Sequence, residues 1–405
     1  MKMKVLILVE SLKVGGGSER FAATLGSKLY QEGCYVSYLT LMEENPKYEF
    51  KGDYYTLNEG YIYGNIFKRT LDLFIYAPKI TKLCNELGIE TIISVSEVAN
   101  FYAVLSRWLY GNNVRIIATQ HINPEIFLHS TMKTDLIKFF YPRADKVVCV
   151  SKETEKILNR KYGVQNTCTI YNMMDIEKNI KLSREELPKE YKELFNGNKD
   201  ESFNFINLGR LARQKGQWFL IRSFRDVVDH HPHAKLFILG DGVLRSKLEQ
   251  LITDLELTDN VYLLEEQKNV FPFLKESDCF VLSSLWEGLP LVLIEALTMD
   301  LPIISVDCKT GPREVLCPEL DLGGRVSYPY LGEHAILTMP LPNQLILSPV
   351  KEVPLTEGEE MLSDLMIRMI EDSQLGKNYS NSRVIAENFD KEKIISKWDK
   401  LLKKG

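Results

Sequence analysis

Short apolar runs alternate with helix-like stretches along most of this chain, and that alternation confines it to strand-helix-strand units around parallel sheets. The first series comprises VLILVE (5–10), VSYLTL (36–41), TIISVS (91–96), RIIATQ (115–120), KVVCVS (146–151) and TCTIYN (167–172). A polar, charged segment without apolar period then breaks the pattern at 178–201, and the alternation restarts with FNFINLG (203–209), KLFILG (235–240), VYLLEE (261–266), CFVLSS (279–284) and PIISVD (302–307). Continuous apolar runs of this kind suit strands buried on both faces. The expectation is an α/β protein of two facing, doubly wound domains with a cleft between them: residues 1–178 first, a link at 179–201, and a second domain at 202–387.

Composition agrees with two domains. At 405 residues the chain exceeds one ordinary core. Hydrophobic residues at 45% and charged residues at 26% exclude a disordered or membrane-embedded composition. A formal net charge of -5 argues against a nucleic-acid binder. The seven cysteines, at 34, 84, 149, 168, 279, 308 and 317, form no C-x-x-C pair and read as reduced thiols of a cytosolic protein. The opening MKMKVLILVE passes straight into charge and glycine, so it reads as a first strand rather than a signal peptide, and any membrane contact is expected to be peripheral.

In doubly wound sheets, ligands bind outside the carboxyl ends of the strands, where strand order reverses. Function is therefore expected at 15–20, Ser96 and Glu97, 120–123, Ser151, Asn172, 209–216, 240–242 and 283–290. After Gly311 the rhythm fails. Residues 317–357 form a proline- and glycine-bearing insert with no evident place in the parallel sheet, and the final helix, 388–405, has Phe389, Ile394, Ile395, Trp398, Leu401 and Leu402 at helical spacing and needs a surface to cover.

Two constellations carry chemistry. NLGRLARQKG sets Arg210 and Lys215 between a strand and a helix starting near Gly216, a fork of donors beside a mobile point charge, which suits phosphate oxygens. Taken alone it would read as a solvated basic turn. SSLWEGLPLVLIEAL places Glu287 and Glu295 eight apart, with Gly288 allowing close approach and Pro290 at an expected first helical position, so that the helix begins near Glu287 and its amides form an anion site. Glu295 is then expected about two turns into the helix. A carboxylate so deep needs a partner. Ribose hydroxyls would serve; an internal salt bridge or an exposed helical face is the plainer alternative.

The pattern GRL-x(3)-KG, then GDG after the next strand, then E-x(7)-E, then SVDCKTGPREVL, resembles the retaining glycosyltransferases of family 4. GGGSER, the HIN triplet and IYNMMD fit as well, so that the likeness spans about residues 5–316 in order. The resemblance implies a GT-B fold with the final helix packed back on the first domain. It implies that Arg210 and Lys215 bind the donor diphosphate, Glu295 the ribose, and Glu287 the transferred sugar, helped by the backbone of Gly288, Leu289, Pro290 and Leu291, of which all but the proline have an amide to donate. Gly209 and Gly240 would line the donor, His121 would lie near the transferred sugar, and Gly16 and Gly17 would approach phosphates or acceptor.

The implied reaction moves a sugar from a nucleotide-diphosphate donor, a UDP-sugar by preference, to a glycan or lipid-linked acceptor, with no cofactor and no catalytic metal. HHPH at 230–233 lacks companion ligands and reads as surface. A GT-B epimerase or phosphorylase, or a non-catalytic sugar-nucleotide-binding protein, is the alternative. The stretch 66–88, with Lys68, Arg69, Lys79 and Lys82, suits an anionic membrane surface or, more plainly, a helix packed on its sheet with solvated lysines. After VYLL, relatives commonly hold glycine where this chain reads Glu265-Glu266-Gln267.

Overall fold

The computed structural model describes residues 2–13, 16–42, 45–46, 48–57, 66–127, 131–195 and 202–403; for 66–74, 126–127 and 131–133 only the backbone is described. The chain divides into two compact units, Met1–Met173 with Lys391–Gly405, and Met174–Asp390.

In the first unit, β1 (Lys4–Val9), β2 (Tyr35–Thr40), β3 (Asp53–Thr56), β4 (Thr91–Val95), β5 (Arg115–Gln120), β6 (Lys146–Cys149) and β7 (Thr167–Thr169) form one parallel sheet in the order β3-β2-β1-β4-β5-β6-β7. Strand order reverses between β1 and β4. The alternate residues of β1 feed two cores: Leu6 and Leu8 on one face, Val5, Ile7 and Val9 on the other. That double burial explains why its sequence is apolar without interruption. Ser96 and Ser151 start the helices Glu97–Tyr110 and Lys152–Tyr162, their hydroxyls accepting from the amides of Ala99 and Thr154. The last helix, Lys391–Lys403, lies on this unit, with Trp398 fully buried and 6.0 Å from the Phe21 ring centre. Phe389, read as part of that helix, instead ends a short 3-10 turn in the second unit.

The second unit holds β8 (Asn204–Leu208), β9 (Lys235–Leu239), β10 (Val261–Leu264), β11 (Cys279–Leu282), β12 (Ile303–Val306), β13 (Tyr330–Leu331) and β14 (Ile336–Thr338) in the order β10-β9-β8-β11-β12-β14-β13. All neighbours are parallel except β13 and β14. Order reverses between β8 and β11.

Three expectations change. The segment 179–201 is no bare link: Ile176–Leu182 and Lys189–Phe195 are helices of the second unit, and Phe195 stacks on Phe237 at 3.8 Å. Each short helix buries a single apolar residue, Ile176 and Phe195, too little for a periodic signal; the stretch 196–201 lies outside the described residues. The insert 317–357 does enter the sheet, since β14 pairs in parallel with β12. Its remainder is tied down by Arg222, whose guanidinium donates to the carbonyls of Ser348, Val353 and Pro354 and to Glu359 Oε1 at 2.7 Å. Third, the edge strand β3 gave no apolar run, because its residues are at most half-buried.

The helix Ile66–Leu87 occupies the stretch first considered for membrane contact. Tyr76, Ala77, Ile80 and Cys84 enter the core, whereas Lys79 and Lys82 are exposed. The side chains of Lys68 and Arg69 lie outside the described residues. Among the described residues, no helix is long and apolar enough to cross a membrane.

Candidate active site

The two loops that leave β8 and β11 flank the reversal point of the second sheet. After the buried strand β8, Gly209 turns the chain, and the stem of Lys215 lies across it: a β-carbon at Gly209 would come within 3.2 Å of that stem. Gly240, ending the neighbouring β9 with φ at +147°, packs so closely that a β-carbon there would collide with the Gly209 carbonyl oxygen. Gly240 therefore excludes a larger residue, and any β-carbon at Gly209 would displace the Lys215 stem. Arg210 is exposed, and among the described residues no ion pair engages it. Gln217, first in the helix Gln217–His230, holds the loop from below by donating to the carbonyls of Gly209 at 3.4 Å and Arg210 at 3.2 Å.

Lys215 and Glu287 meet. Lys215 Nζ donates to Glu287 Oε1 at 2.6 Å, and the two side chains retain 16% and 7% of their exposure, so water screens the pair poorly. Glu287 Oε1 also accepts from Ser284 Oγ at 2.7 Å, and Oε2 from Gln214 Nε2 at 3.2 Å. The loops are stitched by backbone as well: Leu285 N donates to Gln214 O at 2.8 Å, and Ser283 Oγ to Lys215 O at 2.9 Å. Sequence reasoning missed Gln214 and Ser284. Their signal was adjacency to Lys215 and Glu287, legible only once the two loops were known to touch.

The helix after this loop is Leu291–Thr298, and its start differs from expectation. Pro290, with ψ at 96°, is still extended and serves as the N-cap, so the helix begins at Leu291 and not near Glu287. Pro290 fixes φ without yet adopting the helical ψ. Glu295 is consequently the fifth helical residue, about one turn in rather than two. It is 4% exposed. Gly288, Leu289 and Pro290 are buried, Leu291 half-buried, and no side chain caps the helix start; Leu293 N donates to Pro290 O at 3.0 Å, which leaves the amides of Leu291 and Val292 for an anion.

His121, Gly16 and Gly17 belong to the first unit. Gly16 is the N-cap of the helix Gly17–Gln31, and its carbonyl accepts from Arg20 N at 3.1 Å; the preceding Gly15 lies outside the described residues. His121 follows β5, its ring centre 4.6 Å from that of Phe21. Desolvation lowers its pKa to about 3, although an edge of the residue remains accessible. Its Nε2 is 2.9 Å from Thr119 Oγ1, which already donates its one hydrogen to Ser94 O at 2.9 Å. Thr119 must therefore accept from His121 Nε2, and Nδ1 of the neutral ring is left as an acceptor.

Among the described residues no three His, Cys, Asp or Glu groups gather to hold a metal ion. His230 and His233 are exposed, and His230 Nδ1 lies 2.9 Å from Asp226 O. Asp241, in the GDG turn, is taken by Arg245 Nε at 2.7 Å.

Two family descriptions match the chain: Glycosyltransferase Family 4 over residues 15–178 and Glycosyl transferases group 1 over 189–328. An uncharacterized glycosyltransferase of Methanocaldococcus jannaschii is 47% identical over 338 residues, covering 81% of this chain and 82% of its own. The chain belongs to the group 1 glycosyltransferases. A second relative, 28% identical over 400 residues (96% of this chain, 97% of its own), is the N-acetylgalactosamine-N,N'-diacetylbacillosaminyl-diphospho-undecaprenol 4-alpha-N-acetylgalactosaminyltransferase of Campylobacter jejuni. Among solved structures, sucrose-phosphate synthase of Thermosynechococcus elongatus superposes with a TM-score of 0.78 at 18% identity, covering 99% of this chain and 98% of its own. Anabaena HepE in complex with UDP gives 0.73 at 18%, covering both chains fully. The glycosyltransferase thus has the GT-B fold, with its two parallel-sheet domains.

Proposed function

We propose that this enzyme is a retaining glycosyltransferase that moves a sugar from a UDP-sugar to a glycan or lipid-linked acceptor. The observation that carries this reading is the meeting of Lys215 and Glu287 at the reversal point of the second sheet, beside the exposed Arg210 and an uncapped helix start. As the anomeric bond breaks, negative charge builds on the leaving diphosphate. Arg210, Lys215 and the amides of Leu291–Thr298 offer fixed positive charge for it, the effect that commonly dominates catalysis. An ammonium has three donors, so Lys215 can serve the diphosphate without wholly abandoning Glu287.

In this reading Glu287 and the loop Gly288, Leu289, Pro290 and Leu291 meet hydroxyls of the transferred sugar, Glu295 meets the ribose, and Gly209 and Gly240 let the donor approach the backbone. His121 presents Nδ1 as an acceptor beside the sugar, and Gly16 and Gly17 lie near phosphate or acceptor. A leaving phosphate oxygen takes the acceptor proton on the same face, which retains the anomeric configuration and needs no protein nucleophile. Neither does it need a metal, since the basic pair supplies the charge. The UDP preference is supported by the nucleotide in the HepE complex, and the acceptor class by the diphospho-undecaprenol named for the Campylobacter relative.

The test is release of UDP from UDP-glucose, UDP-galactose and their N-acetylamino forms on adding undecaprenyl-diphosphate sugars, with the product anomer read by NMR. Arg210→Ala and Lys215→Ala should abolish release with the fold kept, and Glu295→Ala should mainly raise the KM for the donor. Wild-type turnover in the first two variants, or an inverted anomer, would overturn the reading. Activity lost to a chelator and restored by magnesium would overturn its metal-free form. The acceptor reading extends to contact of Ile66–Leu87 with an anionic membrane. Equal sedimentation with phosphatidylglycerol and phosphatidylcholine vesicles would remove that contact.

A further inference from the structure

Four residues other than glycine have left-handed backbone among the described residues: Ser96, Glu256, Asp300 and Thr310. Glu256 and Asp300 follow the C-terminal ends of the helices Arg245–Asp254 and Leu291–Thr298, where such a conformation is common. Ser96 is a helix N-cap whose φ of 99° departs from the β region usual there. Thr310 follows no helix end. It is β-branched, φ is +63°, and only 1% of it is exposed. A β-branched residue in this region is a genuine outlier that persists only where its surroundings impose it.

What Thr310 touches is the loop that carries Glu287. Its Oγ1 donates to the Glu287 carbonyl oxygen, with the Lys309 carbonyl a second acceptor at 2.8 Å. The Glu287 amide in turn donates to Lys309 O at 3.5 Å, and Trp286 bridges Lys309 in parallel. Both polar groups of the Glu287 backbone are therefore held by the dipeptide Lys309-Thr310, while Ser284, Gln214 and Lys215 hold its carboxylate. The dipeptide is itself anchored by β12 and by Asp307, on which Arg313 Nη2 and the Tyr328 hydroxyl converge at 2.6 Å each.

We propose that Thr310 is a positioning residue for sugar transfer: its hydroxyl, held in a strained conformation, sets the height of the Glu287 peptide and thus where the carboxylate and the following amides meet the donor sugar. This rests on the reading of Glu287 to Leu291 as the sugar-facing loop. Of the groups read as holding the diphosphate, Arg210 and Lys215 lie on the other loop and only the helix-start amides of Leu291–Thr298 follow this one, so Thr310 should bear on the sugar far more than on the grip on UDP.

The experiment compares Thr310→Val, Thr310→Gly and Thr310→Ser with Glu287→Gln, using UDP titration calorimetry, thermal midpoints and transfer from the UDP-sugar that gives the fastest UDP release. Valine keeps the shape but strands the Glu287 carbonyl, so kcat/KM for the donor should fall about tenfold to a hundredfold while the Kd for UDP changes by no more than about threefold. Glycine adopts the same backbone without strain but also strands that carbonyl, so Thr310→Gly should fold with a thermal midpoint no lower than that of Thr310→Val and still lose transfer. Serine restores the hydroxyl and should restore most of the activity. Wild-type transfer in Thr310→Gly, or equal losses in the valine and serine variants, would overturn the proposal, as would UDP affinity falling in step with activity. If Glu287→Gln itself transfers at the wild-type rate, it is the sugar-loop reading that fails.

Discussion

Lys215 Nζ lies 2.6 Å from Glu287 Oε1, so the base read as holding the donor diphosphate is engaged by the acid read as holding the donor sugar. The free enzyme thereby stores two charges that would otherwise be poorly solvated at these partly buried positions. A donor must draw Lys215 at least partly away from Glu287, and its sugar hydroxyls then replace the ammonium as donors to the carboxylate.

Glu287→Gln separates these two roles. The amide keeps the size of the side chain but releases Lys215 for the diphosphate. UDP should therefore bind Glu287→Gln at least as tightly as wild type, up to about tenfold tighter, where tenfold corresponds to ~1.4 kcal/mol. Transfer should nevertheless fall by about a hundredfold or more, because the sugar loses a charged acceptor. Titration calorimetry with UDP and a UDP-release assay check both. Markedly weaker UDP binding would mean that Glu287 supports the diphosphate site instead of competing with it.

The same unit contains a second ion pair with a different task. Arg222 and Glu359 are fully buried, joined at 2.7 Å, and Glu359 also closes a capping box with Thr356 at the start of the helix Glu357–Glu371. Removing one partner leaves a buried charge, so Glu359→Ala should cost about 3–5 kcal/mol in urea unfolding. Arg222→Met should cost at least as much, since the carbonyls of Ser348, Val353 and Pro354 lose their donor too. The double variant should recover part of that loss. Its recovery must be incomplete if the insert depends on Arg222 for its carbonyls.

Most of the alternating strands were legible because burial on both faces gives them an apolar run, as in β1 and β11. β3 and β13 were not, because half-covered or two-residue edge strands leave no such run. Arg210, Lys215 and Glu287 stood out as charges next to strand ends, where order reverses. Gln214, Ser284 and Thr310 did not, since a neutral polar side chain at a turn looks alike whether it faces water or a partner far along the sequence. The helix start was misplaced by about four residues for a related reason: proline fixes φ, and ψ, which decides whether the helix has begun, is set by the packing around it.

His121 yields a prediction about pH. Its folded pKa of about 3 lies below the ordinary value of 6.5, because burial penalises the imidazolium. Between those values the unfolded chain binds a proton at this site and the folded chain does not, so stability must fall as pH drops from 6.5 toward 3. The slope from this one group is about 1.4 kcal/mol per pH unit, or about 2 kcal/mol between pH 6.5 and pH 5. Carboxylates titrate over part of the same range, so the informative quantity is a difference. His121→Asn, which cannot titrate, should lose that much less stability than wild type between pH 7 and pH 5 in urea midpoints. Parallel profiles for the two proteins would show that the imidazole takes up its proton in the folded state, and Nδ1 would then be a donor rather than an acceptor once protonated.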